Sequence, residues 1–204
     1  NLVEEIAKPD AALPALADAD ARVRSALTEL LGGKNVAAFL QMDGFVRRFV
    51  ATVDNLPREH APVQVWPARP TGGRFALAGE GTQRTMSPDN AARYTPFVRL
   101  AESVDAKQAA ALYARLYPLF QQAYEELGYP GKYFNDRLVA VIDHLLAAPE
   151  PQGPLAIRVV EVRGEVPSEK PWVRYEYADP ALESLSAGQK LMVRLGLDNE
   201  RRLK

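Results

Sequence analysis

Residues 105–148 read DAKQAAALYARLYPLFQQAYEELGYPGKYFNDRLVAVIDHLLAA. Asp105 precedes a helix-forming run and reads as its N-cap, with a carboxylate able to accept from the free amides of the first turn. Leu112, Leu116, Leu119, Ala123 and Leu127 recur at three- and four-residue spacing and make one apolar stripe. Tyr113, Tyr117, Phe120 and Tyr124 make a second stripe beside it. The combined face is too wide for a helix buried along one seam, so cover on two sides is expected. Pro118 has no amide to donate and crowds the preceding turn, which predicts a kink or break. Gly128 suits a left-handed C-terminal cap, and Pro130 prevents continuation. Asn135 reads as the cap of a second helix, with Leu138, Val141, Ile142 and Leu145 facing the core. The short Gly-Tyr-Pro-Gly connection makes the two helices an antiparallel pair.

The segment from Tyr113 to Phe134 holds seven of the 17 Phe, Trp and Tyr residues, dense enough to be either a core or a pocket. A small-molecule site would use Tyr113, Tyr117 and Tyr124. A packed core whose hydroxyls reach the surface or a partner group asks less of the sequence and is the preferred reading.

Upstream, residues 1–17 carry Pro9 and Pro14 and read as a lead-in. Asp18 or Asp20 is expected to cap a helix with the stripe Val23, Leu27, Leu30 and Leu31, ended by Gly32-Gly33. Asn35 is expected to cap the next helix, which runs to Asn55-Leu56-Pro57 with Gly44 in its interior at a cost of about 1 kcal/mol relative to Ala. Residues 56–87 are rich in proline and glycine and read as a loop-rich excursion. Val63, Val65, Phe75 and Leu77 suggest short extended pieces there. Ser87-Pro88 opens a helix that Tyr94-Thr95-Pro96 should interrupt or end.

Downstream, Leu155, Ile157 and Val159 alternate with their neighbours, as do Val173, Tyr175 and Tyr177. Residues 155–177 therefore read as a β-hairpin with a long polar connection at 163–171. Residues 180–204 read as C-terminal helices: Asp179-Pro180 starts one, Ser186 and Gln189 suggest a capping box, and Gly196 precedes the last.

These features describe a mainly α (α+β) fold, a helical assembly around a central antiparallel helix pair, with a small β-hairpin and a loop-rich excursion. At 204 residues, 47% of them hydrophobic, the chain has the material for one core and is expected to form a single globular domain. A formal net charge of −1 argues against nucleic acid as a main partner, because phosphate binding needs a basic face. Without cysteine there is no disulfide, thiolate nucleophile or cysteine metal site. No apolar run approaches the roughly 20 residues that span a bilayer.

Motifs that carry chemistry are missing. Gly72-Gly73 and Gly79-x-Gly81 lack the spacing and the following lysine of a phosphate loop. His60 and His144 are the two histidines, in no zinc-binding pattern, so neither a metal nor a cofactor is expected. Three polar groupings remain as candidates. Asp136 and Asp143 share a helix face, with Arg137 and His144 one step round, and an Asp beside a His can orient a general base. The simpler reading is a solvated helix face. Asp54, Asn55 and Arg58 lie at a helix end, where such residues bind an anion or, more often, cap the helix and set the turn. Tyr113, Tyr117 and Tyr124 complete the set.

The strings from Thr52 to Arg58 (TVDNLPR), Leu112 to Pro130, Tyr133 to Leu146, Tyr175 to Pro180 (YEYADP) and Leu185 to Leu191 (LSAGQKL) resemble the proteobacterial domain-of-unknown-function 3014 family. The resemblance runs from about Leu13 to the C-terminus. It implies no activity and no functional residues. It does imply context: members resemble single-pass membrane proteins with an N-terminal anchor and a proline-rich linker ahead of this domain. A periplasmic location and an anchor outside this chain are therefore expected, with an envelope protein or peptide as the partner. The functional expectation is a membrane-tethered interaction module. The alternatives are an envelope hydrolase using Asp136, Asp143 or His144 with Arg58 or Arg137 holding an anion, and a small-molecule-binding domain.

Overall fold

A computed structural model describes residues 8–10, 12–81, 83–160 and 174–204. Among them are nine α-helices and two small antiparallel strand pairs, the mainly α arrangement expected. Helices α1 (Asp20–Leu31), α2 (Gly33–Phe39) and α3 (Phe45–Asn55) are followed by a 3-10 turn, Val63–Val65, and strands β1 (Leu77–Ala78) and β2 (Thr85–Met86). Helices α4 (Asp89–Ser103), α5 (Ala106–Glu126) and α6 (Phe134–Leu146) come next, then β3 (Ile157–Val160) and β4 (Arg174–Tyr177). The chain closes with α7 (Pro180–Glu183), α8 (Ala187–Arg194) and α9 (Leu197–Leu203). The expected polar connection at 163–171, and residues 1–7 of the lead-in, lie outside the described residues.

Helix α5 is the spine. The Asp105 carboxylate accepts from the Gln108 amide at 2.8 Å, as an N-cap should. The stripes are covered along the helix, with Leu112, Leu116, Leu119, Phe120, Ala123 and Tyr124 all buried, but Leu127, expected in the apolar stripe, is exposed at the helix end. Val23 and Ala26 of α1, Val46, Val50 and Val53 of α3, and Phe134 and Val141 of α6 join them in the main core. Phe134 is wholly enclosed, its ring 6.1 Å from Phe120 and 5.5 Å from Tyr124. Burying such a side chain contributes roughly 1.5–3 kcal/mol.

Several local expectations are corrected. Helix α5 continues through Pro118 without a break, and α4 continues through Pro96. In each case one amide is lost, and packing along the rest of the helix outweighs it. The segment 33–55 is two helices rather than one. Gly44 is not interior: it adopts a left-handed conformation (φ 61°) just ahead of α3 and donates its amide to Asp20 at 2.8 Å. Asp20 therefore serves α3 rather than capping α1, and the Asn35 amide donates to the Leu31 carbonyl instead of capping. Asn135 does not cap α6 either. The Phe134 amide is taken by Gln121 Oε1 of α5 at 2.9 Å. Val63 and Val65 form a 3-10 turn, not a strand.

Strands β1 and β2 pair Leu77 with Met86, and β3 and β4 pair Ile157 with Tyr177 and Val159 with Tyr175. The two pairs are joined by a bridge between Thr85 and Ala156. Met86 donates to the Leu155 carbonyl and Ile157 donates to the Arg84 carbonyl, both at 2.9 Å. The order across this small layer is thus β1–β2–β3–β4. Two satellite clusters fasten the C-terminal part: Ala148, Met192 and Leu195, and Ile157, Tyr177 and Val193. The amides of Ala187 and Gly188, free at the start of α8, donate to the carbonyls of Arg58 and Leu56.

Candidate functional site

Asp54 is the residue around which the candidate polar groups meet. It lies in the last turn of α3 and is 3% exposed. The local reason is helical phase: Val50 and Val53 bury this face, and Asp54 follows them inward. A buried carboxylate must be paired and hydrogen-bonded. Arg137 of α6 donates Nε to Oδ1 at 3.0 Å and Nη2 to the Asp54 carbonyl at 2.8 Å. Arg58, one turn after Asp54, donates to Oδ2. The Tyr129 hydroxyl donates to the same oxygen at 3.1 Å while accepting from Arg58 at 2.9 Å. The Arg58 guanidinium is held above its usual pKa chiefly by the Asp54 charge.

A cleft of about 550 Å³ opens beside this node, lined by Tyr124, Tyr129, Lys132, Tyr133, Asp136 and Arg137 among others. The Tyr124 and Tyr129 rings stack at 4.7 Å, and the Lys132 ammonium lies 5.6 Å from the Tyr129 centroid. Burial raises the Tyr124 hydroxyl, with the Asp54 charge adding to it. Both Asp54 oxygens are engaged, Oδ1 by Arg137 and Oδ2 by Arg58 and Tyr129. Its geometry is that of a clamp. It ties the C-terminus of α3, the 127–133 connection and α6 together, and Arg137 satisfies a carbonyl that the end of α3 leaves unpaired.

The other sequence candidates fall elsewhere. Asn55 donates back to the Ala51 carbonyl at 2.7 Å and stays outside the node. Asp136 is exposed at the cleft rim. Asp143 is exposed one face-repeat along and makes no ion pair among the described residues. His144 turns to the C-terminal helices, its Nε2 2.8 Å from the Ser186 hydroxyl. Ser186 also accepts from the Gln189 amide, and the Gln189 side chain donates to the His144 carbonyl instead of closing the capping box. Asp136 and Arg137 share the cleft, but Asp143 and His144 lie outside it, so the five groups do not converge in one site.

Tyr113, Tyr117 and Tyr124 are embedded in the aromatic core. The Tyr113 and Tyr117 rings meet edge to face at 5.8 Å, and burial raises both hydroxyls above the ordinary tyrosine value. Of the three, only Tyr124 reaches the cleft. Among the described residues no three His, Asp or Glu side chains are gathered as a metal would require.

Tyr129 and Gln121 were not legible as site residues. Gln121 accepts from the Tyr117 hydroxyl and the Phe134 amide and donates to the Lys132 carbonyl and Glu125. A polar residue inside an aromatic stripe was the one available signal.

A second feature lies on α6. Val139, Ile142 and Leu146 are 49%, 46% and 46% exposed. Their spacing places them on one outer face. Tyr133, 63% exposed, stands just ahead of the helix. Ile142, expected in the core, is therefore at the surface: α5 covers α6 along Phe134 and Val141, and no described element covers the opposite side. Asp136 and Asp143 border this apolar strip.

Among the described residues no helix is long and apolar enough to cross a membrane. No curated protein and no solved structure matches the chain. The profile of one family, described as "Protein of unknown function (DUF3014)", matches residues 45–204, which take in the Asp54 node, both central helices and the exposed face of α6. The chain belongs to the DUF3014 family.

Proposed function

We propose that this chain is the interaction domain of a membrane-tethered periplasmic protein, and that it holds an envelope protein or peptide against the outer face of α6. The observation that carries this reading is the strip Val139, Ile142 and Leu146, three large apolar side chains left about half exposed on one helix face. Contiguous exposed apolar surface is uncommon on proteins that act alone, and a charged border is the usual setting of a binding patch. The tether and the compartment rest on the layout that the family resemblance implies.

The test is photo-crosslinking in the native envelope, with the photoreactive residue placed in turn at Val139, Ile142 and Leu146 of the full-length protein. A specific partner is expected in the crosslinked product by mass spectrometry, and Ile142→Asp should abolish it. An abundant, folded protein that captures nothing from any of the three positions would overturn the reading.

A further inference from the structure

Among the described residues the outer edge of strand β4 pairs with no other strand, and a groove lies beside it. The Ala178 amide donates to the Ala156 carbonyl, so the hydrogen-bonded pairs that follow are Arg158 with Glu176 and Val160 with Arg174. The backbone groups of Tyr175 and Tyr177 then point away from β3. The Tyr177 amide is taken by Glu183 Oε2 at 2.9 Å. The Tyr175 amide and carbonyl and the Tyr177 carbonyl meet no partner among the described residues. Such a row of main-chain groups is complementary to one kind of occupant, another extended chain.

The groove, about 540 Å³, lies between this edge and the 59–66 segment. Phe75, packed 5.3 Å from Tyr175, and Ile157 provide apolar wall for alternate side chains of a strand. Trp66 lines it too, and its indole N–H is buried with no acceptor among the described residues. An unmet buried donor is costly, and an acceptor brought into the groove is one way to meet it. Charge narrows the occupant further. Of the three lining carboxylates, Glu176 is paired with Arg158 and Glu183 with Lys190, while Glu59 is exposed and lies 3.5 Å from His60. Arg194, beside Tyr177, is exposed and meets no carboxylate among the described residues.

We propose that an extended, acid-bearing segment of another protein adds to β4 as a fifth strand, with its carboxylate on Arg194. This inference rests on the interaction reading and names a second, chemically defined contact surface for it.

The test is selection of a random peptide library on the full chain, with counter-selection on Arg194→Glu. Enriched peptides are expected to carry Asp or Glu and to shift the Tyr175 amide and the Trp66 indole N–H in NMR spectra. Arg194→Glu should weaken them about tenfold, with recovery when the peptide acid is changed to lysine. N-methylation of alternate peptide amides should abolish binding, because strand pairing needs those donors. Arg194 is exposed, and an unchanged thermal melt of the variant controls for folding. No enrichment, peptides indifferent to Arg194→Glu, shifts confined to α6, or edge-to-edge dimers of the chain itself would each overturn the proposal. Photo-crosslinkers at Glu59 and Ile142 separate the two readings. Capture at Ile142 alone overturns the groove and leaves the interaction module standing, whereas capture at neither position overturns both.

Discussion

Asp54 and Glu200 are both buried carboxylates, and their partners differ. Asp54 has two guanidinium partners and a phenol. Removing its charge leaves Arg137, itself largely covered, without a counter-ion. Asp54→Asn is expected to cost about 2–4 kcal/mol, whereas Arg58→Ala, at a half-exposed partner, costs under about 1 kcal/mol. Urea unfolding of the two variants with unchanged m-values checks this, and equal costs would remove Asp54 from the centre of the clamp. Glu200 is 1% exposed, and burial raises its pKa while Lys204, 3.1 Å from Oε1, offsets that only in part. A carboxyl raised in the folded state contributes stability that is present below its unfolded pKa and lost as pH rises through the folded one. Glu200→Gln should therefore raise the melting temperature well above the carboxylate titration range and leave it nearly unchanged well below. A variant that melts earlier well above the carboxylate range would show that the ion pair with Lys204 outweighs desolvation.

At the scale of elements, glycine and proline mark where local reading succeeded and where packing overrode it. Gly128, Gly196 and the caps Asp105, Asp179 and Ser186 act where the sequence placed them. Pro96 and Pro118 do not interrupt their helices, because tertiary contacts along α4 and α5 exceed the cost of one missing hydrogen bond each. Gly44 shows the reverse error: a helical period continued across it, yet its left-handed backbone separates α2 from α3. Gly188 has a different role, close approach. A Cβ there would lie 2.5 Å from Leu145 Cδ2 and 3.0 Å from the Leu56 carbonyl oxygen. Since its amide also donates to Leu56, Gly188→Ala should push α8 off the end of α3 and cost about 1–3 kcal/mol by overpacking. A thermal melt equal to the parent would show that Leu145 and the α8 N-terminus yield freely.

For the whole molecule, burial is concentrated in the main core around α5, while the strand layer and C-terminal helices hold on through two small clusters. Stability should divide in the same way. The central amides of α5 are expected to exchange with solvent only on global unfolding, and those of β1 and β2 orders of magnitude faster through local opening. Uniform protection in a hydrogen-exchange experiment would contradict this. The sequence by itself determined the central helix pair, the mainly α class, the family and most helix ends, because periodicity, caps and turn residues act over a few neighbours. It could also name Asp54, Arg58 and Arg137 as candidates. Only the tertiary structure decided that these three meet with Tyr129, that His144 goes to Ser186 instead, and that Ile142 faces outward. Those outcomes depend on which helix face a neighbour covers and on contacts between residues as far apart as Asp54 and Arg137, and periodicity carries neither.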